Sequence, residues 1–209
     1  MSRQAILLIG AGGHARACID VLEQQDMYRI AGLVGTPEQI NTSQLGYPVL
    51  ACDESLEQLS KNYQYALICV GQIDSSQRRQ RLYKLALGFG FEFPCIVSPG
   101  AYKSVHASVG AGTILMHGSI VNAGARVGNN CIVNSRALIE HDCLVEDHCH
   151  IATGAVLNGG VTVGAGCFVG SGSVIKEGVL IGADCLIGMS VAVRSSQPPK
   201  TRYHGKAQP

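Results

Sequence analysis

The sequence has no tryptophan, and aromatic residues make up only 5% of its 209 residues, whereas glycine occurs 26 times. This balance favours a fold with many tight corners over a helical bundle. Long apolar runs are also missing. The longest, such as residues 6–9, are far shorter than the roughly 20 residues of a membrane-spanning helix, and we recognise no signal peptide. We therefore expect a cytoplasmic protein without a membrane span.

The chain also lacks an excess of charge of one sign. Lys and Arg number 16 against 15 Asp and Glu, the formal net charge is +1, and no Lys/Arg-rich run occurs. A nucleic-acid-binding domain needs a basic surface. The sequence therefore predicts no nucleic-acid partner.

The cysteines lack the spacing of a metal or redox motif. There are nine, an odd number, and none forms a CxxC pair. Five of them occupy one phase of a six-residue repeat, at a site otherwise filled by small residues: Cys131, Cys143, Cys149, Cys167 and Cys185. We interpret them as small buried hydrophobic side chains in a reducing compartment, so we expect neither a cysteine nucleophile nor a bound metal.

The repeat itself is the strongest pattern in the sequence. From Val109 to Val193, every sixth residue is Val, Leu or Ile, and a small residue follows four positions after most of them. A period of six spreads apolar residues around a helix, but it is typical of a parallel β-helix with three short faces per coil. Residues 18 apart then stack at about the strand spacing of 4.7 to 4.9 Å. Glycine pairs such as Gly110 with Gly112 and Gly164 with Gly166 are expected to provide positive φ angles at the corners.

Residues 1–94 lack the repeat and alternate strand and helix patterns. We predict strands over residues 5–9, 30–34 and 65–70 and helices over 15–25 and 75–87, which suits a small parallel sheet. The expected fold is a small Rossmann-like α/β domain over residues 1–94, followed over residues 95–209 by a parallel β-helix with a short C-terminal tail.

A glycine turn follows the first predicted strand. Gly10-Ala11-Gly12-Gly13 places free backbone N–H groups at a helix start, which favours phosphate. A tight turn without a ligand is the alternative, because the motif is not a full GxGxxG. His14 either reaches a diphosphate or faces solvent.

A second candidate site lies within the repeat. His141 comes two residues after Ile139, so its side chain is expected to point away from the β-helix interior. An exposed imidazole beside a carboxylate acts as a general base near neutral pH, and Asp142 or Glu140 could be that neighbour. Gly159 lies 18 residues later, so its N–H should be positioned one coil away to receive a thioester oxyanion. Three other histidines are expected at the surface: His106, His117 and His148.

Four segments together resemble a family of bacterial sugar O- and N-acyltransferases. They are Gly10-Ala11-Gly12-Gly13-His14, Val70-Gly71-Gln72-Ile73, residues 134–142 and Val156-Leu157-Asn158-Gly159-Gly160. This family of left-handed β-helix (hexapeptide) proteins includes sialic-acid O-acetyltransferases and UDP-4-amino-sugar N-acetyltransferases. The resemblance covers nearly the whole chain, and its most specific part is residues 134–142, with His150 nine residues after His141.

The resemblance implies a left-handed coil, a homotrimer with active sites at subunit interfaces, acetyl-CoA along the β-helix and a sugar nucleotide in the head. His141 would be the base, and Asp142 would raise its basicity. The resemblance also assigns contacts to two further groups of residues. The acetyl-CoA group is His150, Gly159, Ser171 and Met189, and the substrate group is Gly12, Gly13, His14, Thr36 and Asn134.

One departure from the family concerns the nucleotide. Many relatives carry an acidic pair or an Ile-Asp-Asp run after the second strand, whereas this chain has Leu33-Val34-Gly35-Thr36. The acceptor is therefore either a nucleotide sugar held through Gly12, Gly13, His14 and Thr36 or a sialic-acid-like sugar.

Our hypothesis is direct N-acetylation of a nucleotide-linked 4-amino-6-deoxy sugar in bacterial surface glycan biosynthesis. O-acetylation of a sialic or legionaminic-type sugar is the alternative within the class. Two alternatives come from other classes: a carbonic-anhydrase-like zinc enzyme using His141, His148 and His150, and a scaffold without a ligand.

Overall fold

The structure, a computed structural model, describes residues 3–205. An α/β head is followed by a left-handed parallel β-helix. Each coil of the β-helix takes 18 residues, and the strand register pairs residues 18 apart, as in Ile120 with Leu138. The fold class predicted from the repeat and the resemblance is confirmed.

The head contains a five-stranded sheet in the order β3-β4-β2-β1-β5. Its strands are β1 (Gln4–Ile9), β2 (Tyr28–Gly35), β3 (Ser43–Gln44), β4 (Tyr47–Cys52) and β5 (Tyr65–Ile68). Its helices are α1 (Gly13–Gln25), α2 (Leu56–Ser60) and α3 (Gln77–Gly88). Strands β4, β2, β1 and β5 run parallel, and β3 pairs antiparallel with β4. The carboxyl ends of β1, β2 and β4 therefore meet at one edge of the sheet.

The sequence did not reveal the β3–β4 hairpin or α2. Residues 47–52 form a short apolar run, YPVLAC, but it lacks the polar–apolar alternation of a half-buried strand and contains Pro48, which weakens a strand assignment. In the fold only Val49 of this strand is buried. The other three strands and the two long helices lie where they were predicted, with ends shifted by a few residues.

The β-helix has three faces of two-residue strands. The first residue of each strand points outward and the second points into the interior. The covered face lies under the head and comprises Ile96–Val97, Ile114–Leu115, Ile132–Val133, His150–Ile151, Phe168–Val169, Leu186–Ile187 and Arg202–Tyr203. The apolar face comprises Tyr102–Lys103, Ile120–Val121, Leu138–Ile139, Val156–Leu157, Val174–Ile175 and Ala192–Val193. The mixed face comprises Ser108–Val109, Arg126–Val127, Leu144–Val145, Thr162–Val163 and Leu180–Ile181.

The corners between the faces share one backbone conformation. From residue 112 to residue 190, every sixth residue has a positive φ. Glycine occupies many of these positions, but six carry side chains: Asn130, Arg136, Asp142, His148, Asp184 and Ser190. The aliphatic repeat and the five repeat cysteines fill the interior and are buried, as predicted.

The predicted role of the glycine pairs was half wrong. Gly112 and Gly166 have positive φ, but Gly110 and Gly164 do not. At Gly164, a Cβ would lie 2.6 Å from the backbone nitrogen of Ala183 on the next coil. The first glycine of each pair therefore provides space for the neighbouring coil.

Polar contacts as well as apolar packing attach the head to the covered face. Arg79 of α3 is fully buried and donates to the backbone oxygens of Ile68 and Val70 in the head and to Asn130 in the β-helix. Gln72 donates to the backbone oxygens of residues 166 and 167. Around them, Ile114 and Ile132 share one apolar cluster with side chains of α1 and the head sheet.

Two of the three predicted surface histidines belong to this junction, which corrects the sequence analysis. His117 contacts Asp20 of α1 at 2.8 Å and Ser98 at 2.6 Å. His148 is half-buried, lies 3.0 Å from the amide nitrogen of Asn130 and packs edge-on against Tyr83. Only His106 is exposed as expected. The repeat pattern does not reveal the burial of His117 and His148, because it arises from contacts with head residues that are distant in sequence.

Within residues 3–205, no helix has the length and apolar character needed to cross a membrane.

We expect Gly164→Ala to destabilise the protein, because its Cβ would press against backbone atoms of the next coil, which cannot rotate away. Overpacking of this kind costs about 1–3 kcal/mol, measurable by thermal or denaturant unfolding. Gly88→Ala is the control, because a Cβ there meets nothing within 4 Å. Equal stability of the two variants would contradict the close packing of the coils.

Candidate functional site

His141 lies at the corner that connects the apolar face to the mixed face. Its side chain is 66% exposed, and its Nδ1 lies 3.0 Å from Oδ2 of Asp142, which is 73% exposed. Because a carboxylate only accepts hydrogen bonds, the imidazole carries its proton on Nδ1. The Nε2 lone pair is then free to take a proton from another molecule.

The structure distinguishes the two carboxylates beside His141. Glu140 accepts hydrogen bonds from the amide of Asn122, one coil below, and from the backbone nitrogen of His141. Of the two carboxylates, only that of Asp142 bonds to the imidazole ring. Its corner position has a φ of 58°, a conformation that Asp adopts more readily than most residues.

Gly159 lies directly above the imidazole. A Cβ at this position would come within 2.6 Å of both Cε1 and Nε2 of His141, so only glycine leaves room for the ring. The oxygen of His141 accepts a hydrogen bond from Gly160, which fixes the stacking of the two coils. Among residues 3–205, the Gly159 N–H donates no hydrogen bond. A basic ring nitrogen and a free backbone donor thus meet on the outer surface.

His150 lies elsewhere, on the covered face, and is only 8% exposed. Its Nδ1 donates to the backbone oxygen of Gln72 at 2.7 Å, and its Nε2 accepts from the amide of Asn134 at 3.0 Å. Burial lowers its pKa to about 4, despite the opposing effect of the bond to Gln72. His150 is therefore a neutral imidazole with both nitrogens occupied by this chain.

Three further residues of the β-helix that are expected at the coenzyme or the acceptor lie at a different corner from His141. Asn134, Ser171 and Met189 occupy the corner that connects the covered face to the apolar face. Ser171 is exposed, and Met189 is 76% exposed. In one chain, the whole apolar face separates these residues from His141, Asp142 and Gly159.

The head contains a cavity of about 360 Å³ at the carboxyl edge of its sheet. All four head residues expected at the substrate line it: Gly12, Gly13, His14 and Thr36. Gln39 joins the two sides, because it accepts from the Thr36 N–H and donates to the oxygen of Ala11. His14 is half-buried in this wall, so it does not simply face solvent.

The cavity is also lined by Asp53 and Arg78, which the sequence analysis missed. Asp53 directly follows β4, and Arg78 is the second residue of α3. The proximity of Asp53 to the glycine turn depends on β4 pairing with β2, whereas Arg78 is brought there by α3, which follows β5. A strand prediction over residues 47–52 would have been the signal needed to find Asp53.

The histidines of the zinc alternative do not come together in one chain. His141 pairs with Asp142 at one corner, His148 contacts Asn130 at the next, and both nitrogens of His150 are occupied. Among the described residues, no group of three or more His, Cys, Asp or Glu side chains is arranged to hold a metal ion.

Family comparisons match both parts of the chain. The profile of the PglD N-terminal domain matches residues 5–85. The profile of the bacterial transferase hexapeptide (six repeats) matches residues 124–159 and 142–177. A search of curated protein sequences gives no significant match.

Solved structures resemble the chain over nearly its full length. Perosamine N-acetyltransferase from Caulobacter crescentus, in complex with CoA and GDP-perosamine, is 30% identical with a TM-score of 0.88, over 95% of this chain and 92% of that one. That protein carries a histidine-to-asparagine substitution, and its histidine-to-alanine variant gives a TM-score of 0.89 at the same identity and coverage. The acetyltransferase domain of PglB from Neisseria gonorrhoeae, in complex with acetyl coenzyme A, is 26% identical with a TM-score of 0.87, over 95% of each chain.

We expect His150 to remain neutral throughout the range in which exposed histidines titrate. Its folded pKa of about 4 lies below the value of about 6.5 for an unfolded chain. The unfolded state therefore binds more protons between these values, and stability falls as the pH falls from about 6.5 towards 4. Histidine ring resonances followed by NMR should include one, absent in His150→Gln, that does not shift between about pH 5.5 and 8. Titration of that resonance near neutrality would contradict the buried placement.

Proposed function

Because the chain belongs to the left-handed β-helix family of sugar acyltransferases, we propose that it transfers an acetyl group from acetyl-CoA to the amino group of a nucleotide-linked 4-amino-6-deoxy sugar. The observation that carries this proposal is the pair of His141 and Asp142 beneath Gly159, where the exposed imidazole lies against the backbone of the next coil.

His141 acts as the general base. Asp142 holds the proton on Nδ1 and favours the imidazolium that forms when Nε2 accepts a proton from the attacking amine. Attack is direct, because the repeat cysteines are buried in the interior and burial raises the pKa of the Cys143 thiol, the one nearest His141 in sequence. The Gly159 N–H donates to the carbonyl oxygen that gains negative charge as the amine attacks the thioester. The C–S bond then breaks, and CoA leaves as a thiol that takes the proton held by the His141 imidazolium.

Acetyl-CoA supplies the activated acetyl group when it is bound. The residues that would hold it along the β-helix are Gly159, Ser171 and Met189. Exposure of the last two suits this role. His150 fixes Asn134 and the Gln72 segment beside the coenzyme, because each of its ring nitrogens bonds to one of these residues.

The acceptor nucleotide occupies the head cavity. Its glycine turn opens α1, where unpaired N–H groups and the helix dipole favour phosphate. Gly12 and Gly13 meet nothing within 4 Å of a potential Cβ, so the backbone is open to a ligand. The N-acetyltransferase from Caulobacter crescentus, which is bound to a GDP-linked sugar, supports an amine acceptor.

The active site is completed between subunits of a homotrimer. The outward positions of the apolar face form an uninterrupted column: Tyr102, Ile120, Leu138, Val156, Val174 and Ala192. Packing of this face brings a corner with Ser171 and Met189 from one subunit close to a corner with His141 from another. This arrangement accounts for the division of the site residues between two corners of one chain.

We expect His141→Ala to lower kcat/KM for acetyl transfer by about 10²- to 10⁴-fold, the usual contribution of a general base. Labelled acetyl-CoA, with amino-sugar nucleotides and sialic-type sugars as acceptors, measures transfer. Asp142→Asn should reduce kcat less, because Asn retains the corner conformation but not the charge.

His106→Ala is the matched control, because His106 is an exposed histidine at the same corner two coils below. Unchanged turnover in His141→Ala would remove His141 from the mechanism. Transfer only to a hydroxyl would replace the amine acceptor with the O-acetylation alternative.

We expect Val174→Glu to dissociate the trimer and abolish transfer, because it places a charge in the apolar column. Leu180→Glu on the mixed face is the control, since both side chains are exposed in the single chain. Light scattering after size exclusion measures the assembly. Dissociation by Leu180→Glu, with no effect of Val174→Glu, would place the interface on the mixed face and contradict the proposal.

A further inference from the structure

The carboxylate missing from the end of β2 has a counterpart one strand farther out. In a Rossmann-type site, an acidic residue after the second strand binds the ribose of the nucleotide. Here β2 ends at Gly35 and Thr36, and β4, next to β2, is followed by Asp53. Both positions line the same cavity as the glycine turn.

Sheet order determines how far Asp53 lies from the phosphate position. The glycine turn follows β1, and β4 is two strands from β1, a lateral separation of about 9 to 10 Å. The position next to the turn, at the end of β2, corresponds to the ribose. The next position outward corresponds to the base, which lies beyond the ribose from the diphosphate.

The Asp53 carboxylate is available for a ligand. Among residues 3–205 it makes no hydrogen bond, and its one ion pair, to Arg81, is long at 3.6 Å. Its side chain is 27% exposed. Partial burial raises its pKa, although the charges of Arg81 and Arg78 oppose this. Because burial removes part of the hydration of this carboxylate, hydrogen-bond donors of a bound ligand would replace the lost water contacts.

A carboxylate selects a base that presents two adjacent donors. Guanine does so through N1–H and the 2-amino group. Uracil presents one N–H between two carbonyl oxygens, which a carboxylate repels, and adenine and cytosine present an amino group beside an acceptor nitrogen. The geometry therefore points to a guanine base.

We propose that Asp53 accepts both hydrogen bonds of a guanine edge and so selects a guanosine-diphosphate-linked sugar as the acceptor. This inference rests on the proposed function only in taking the head cavity as the acceptor site. No residue at the end of β2 takes part in the selection.

Calorimetric titration of the full chain with GDP, IDP and UDP tests the proposal without acetyl transfer. IDP differs from GDP by the missing 2-amino group. A hydrogen bond to a charged group contributes about 1.5–3 kcal/mol, so GDP should bind roughly 10- to 100-fold more tightly than IDP, and UDP more weakly than GDP. In Asp53→Asn, GDP should lose most of that advantage.

Glu54→Gln is the control, because it removes a neighbouring exposed carboxylate that does not line the cavity. Equal binding of GDP and IDP to the unmodified protein would overturn the proposal, whatever the variant does. An equal loss of GDP, IDP and UDP affinity in Asp53→Asn would assign Asp53 to the ribose and also overturn it. Tighter binding of UDP would reject guanine selection and leave the acetyltransferase function standing, whereas binding of none of the three would contradict the head cavity as a nucleotide site.

Discussion

A residue with a positive φ at every sixth position is the constraint on which the β-helix depends. Each such residue turns the chain through a corner, and three corners return it to the same face 18 residues later. The register between neighbouring coils is thereby fixed, because a coil that slipped by one residue would move its aliphatic side chains out of the interior. The contact between His141 and Gly159 is a direct product of this stacking.

The same constraint shows where the chain departs from its simplest form. Glycine is the least strained residue at a positive φ, so a corner with a side chain needs a reason. At Asp142 the reason is the imidazole beside it. At Asn130 it is the junction with the head, where the side chain binds Arg79 and contacts His148. These two of the six corners with side chains coincide with the candidate base and with the attachment of the head.

The periodic half of the protein could be predicted from the sequence because its contacts repeat at a fixed separation. The parallel β-helix, the outward direction of His141 and its contact with Gly159 follow from counting, whereas the left hand of the coil followed from the resemblance to hexapeptide proteins. The contacts of His117, His148 and His150 could not be predicted, because they depend on how the head packs on one face. Asp53 was not predicted as a site residue for a related reason: only the pairing of β4 with β2 brings it to the cavity.

Stacking by whole coils also has a consequence for how such proteins change length. Each coil presents the same pattern of backbone donors and acceptors to the coil above and below it. Duplication or loss of a complete 18-residue unit that leaves residues 134–189 and the contacts with the head in place would therefore lengthen or shorten the β-helix while keeping the site residues aligned. An insertion whose length is not a multiple of 18 would have to protrude from the β-helix as a loop. The β-helix can therefore change in length only by whole coils, and such changes need not alter the corner that carries His141.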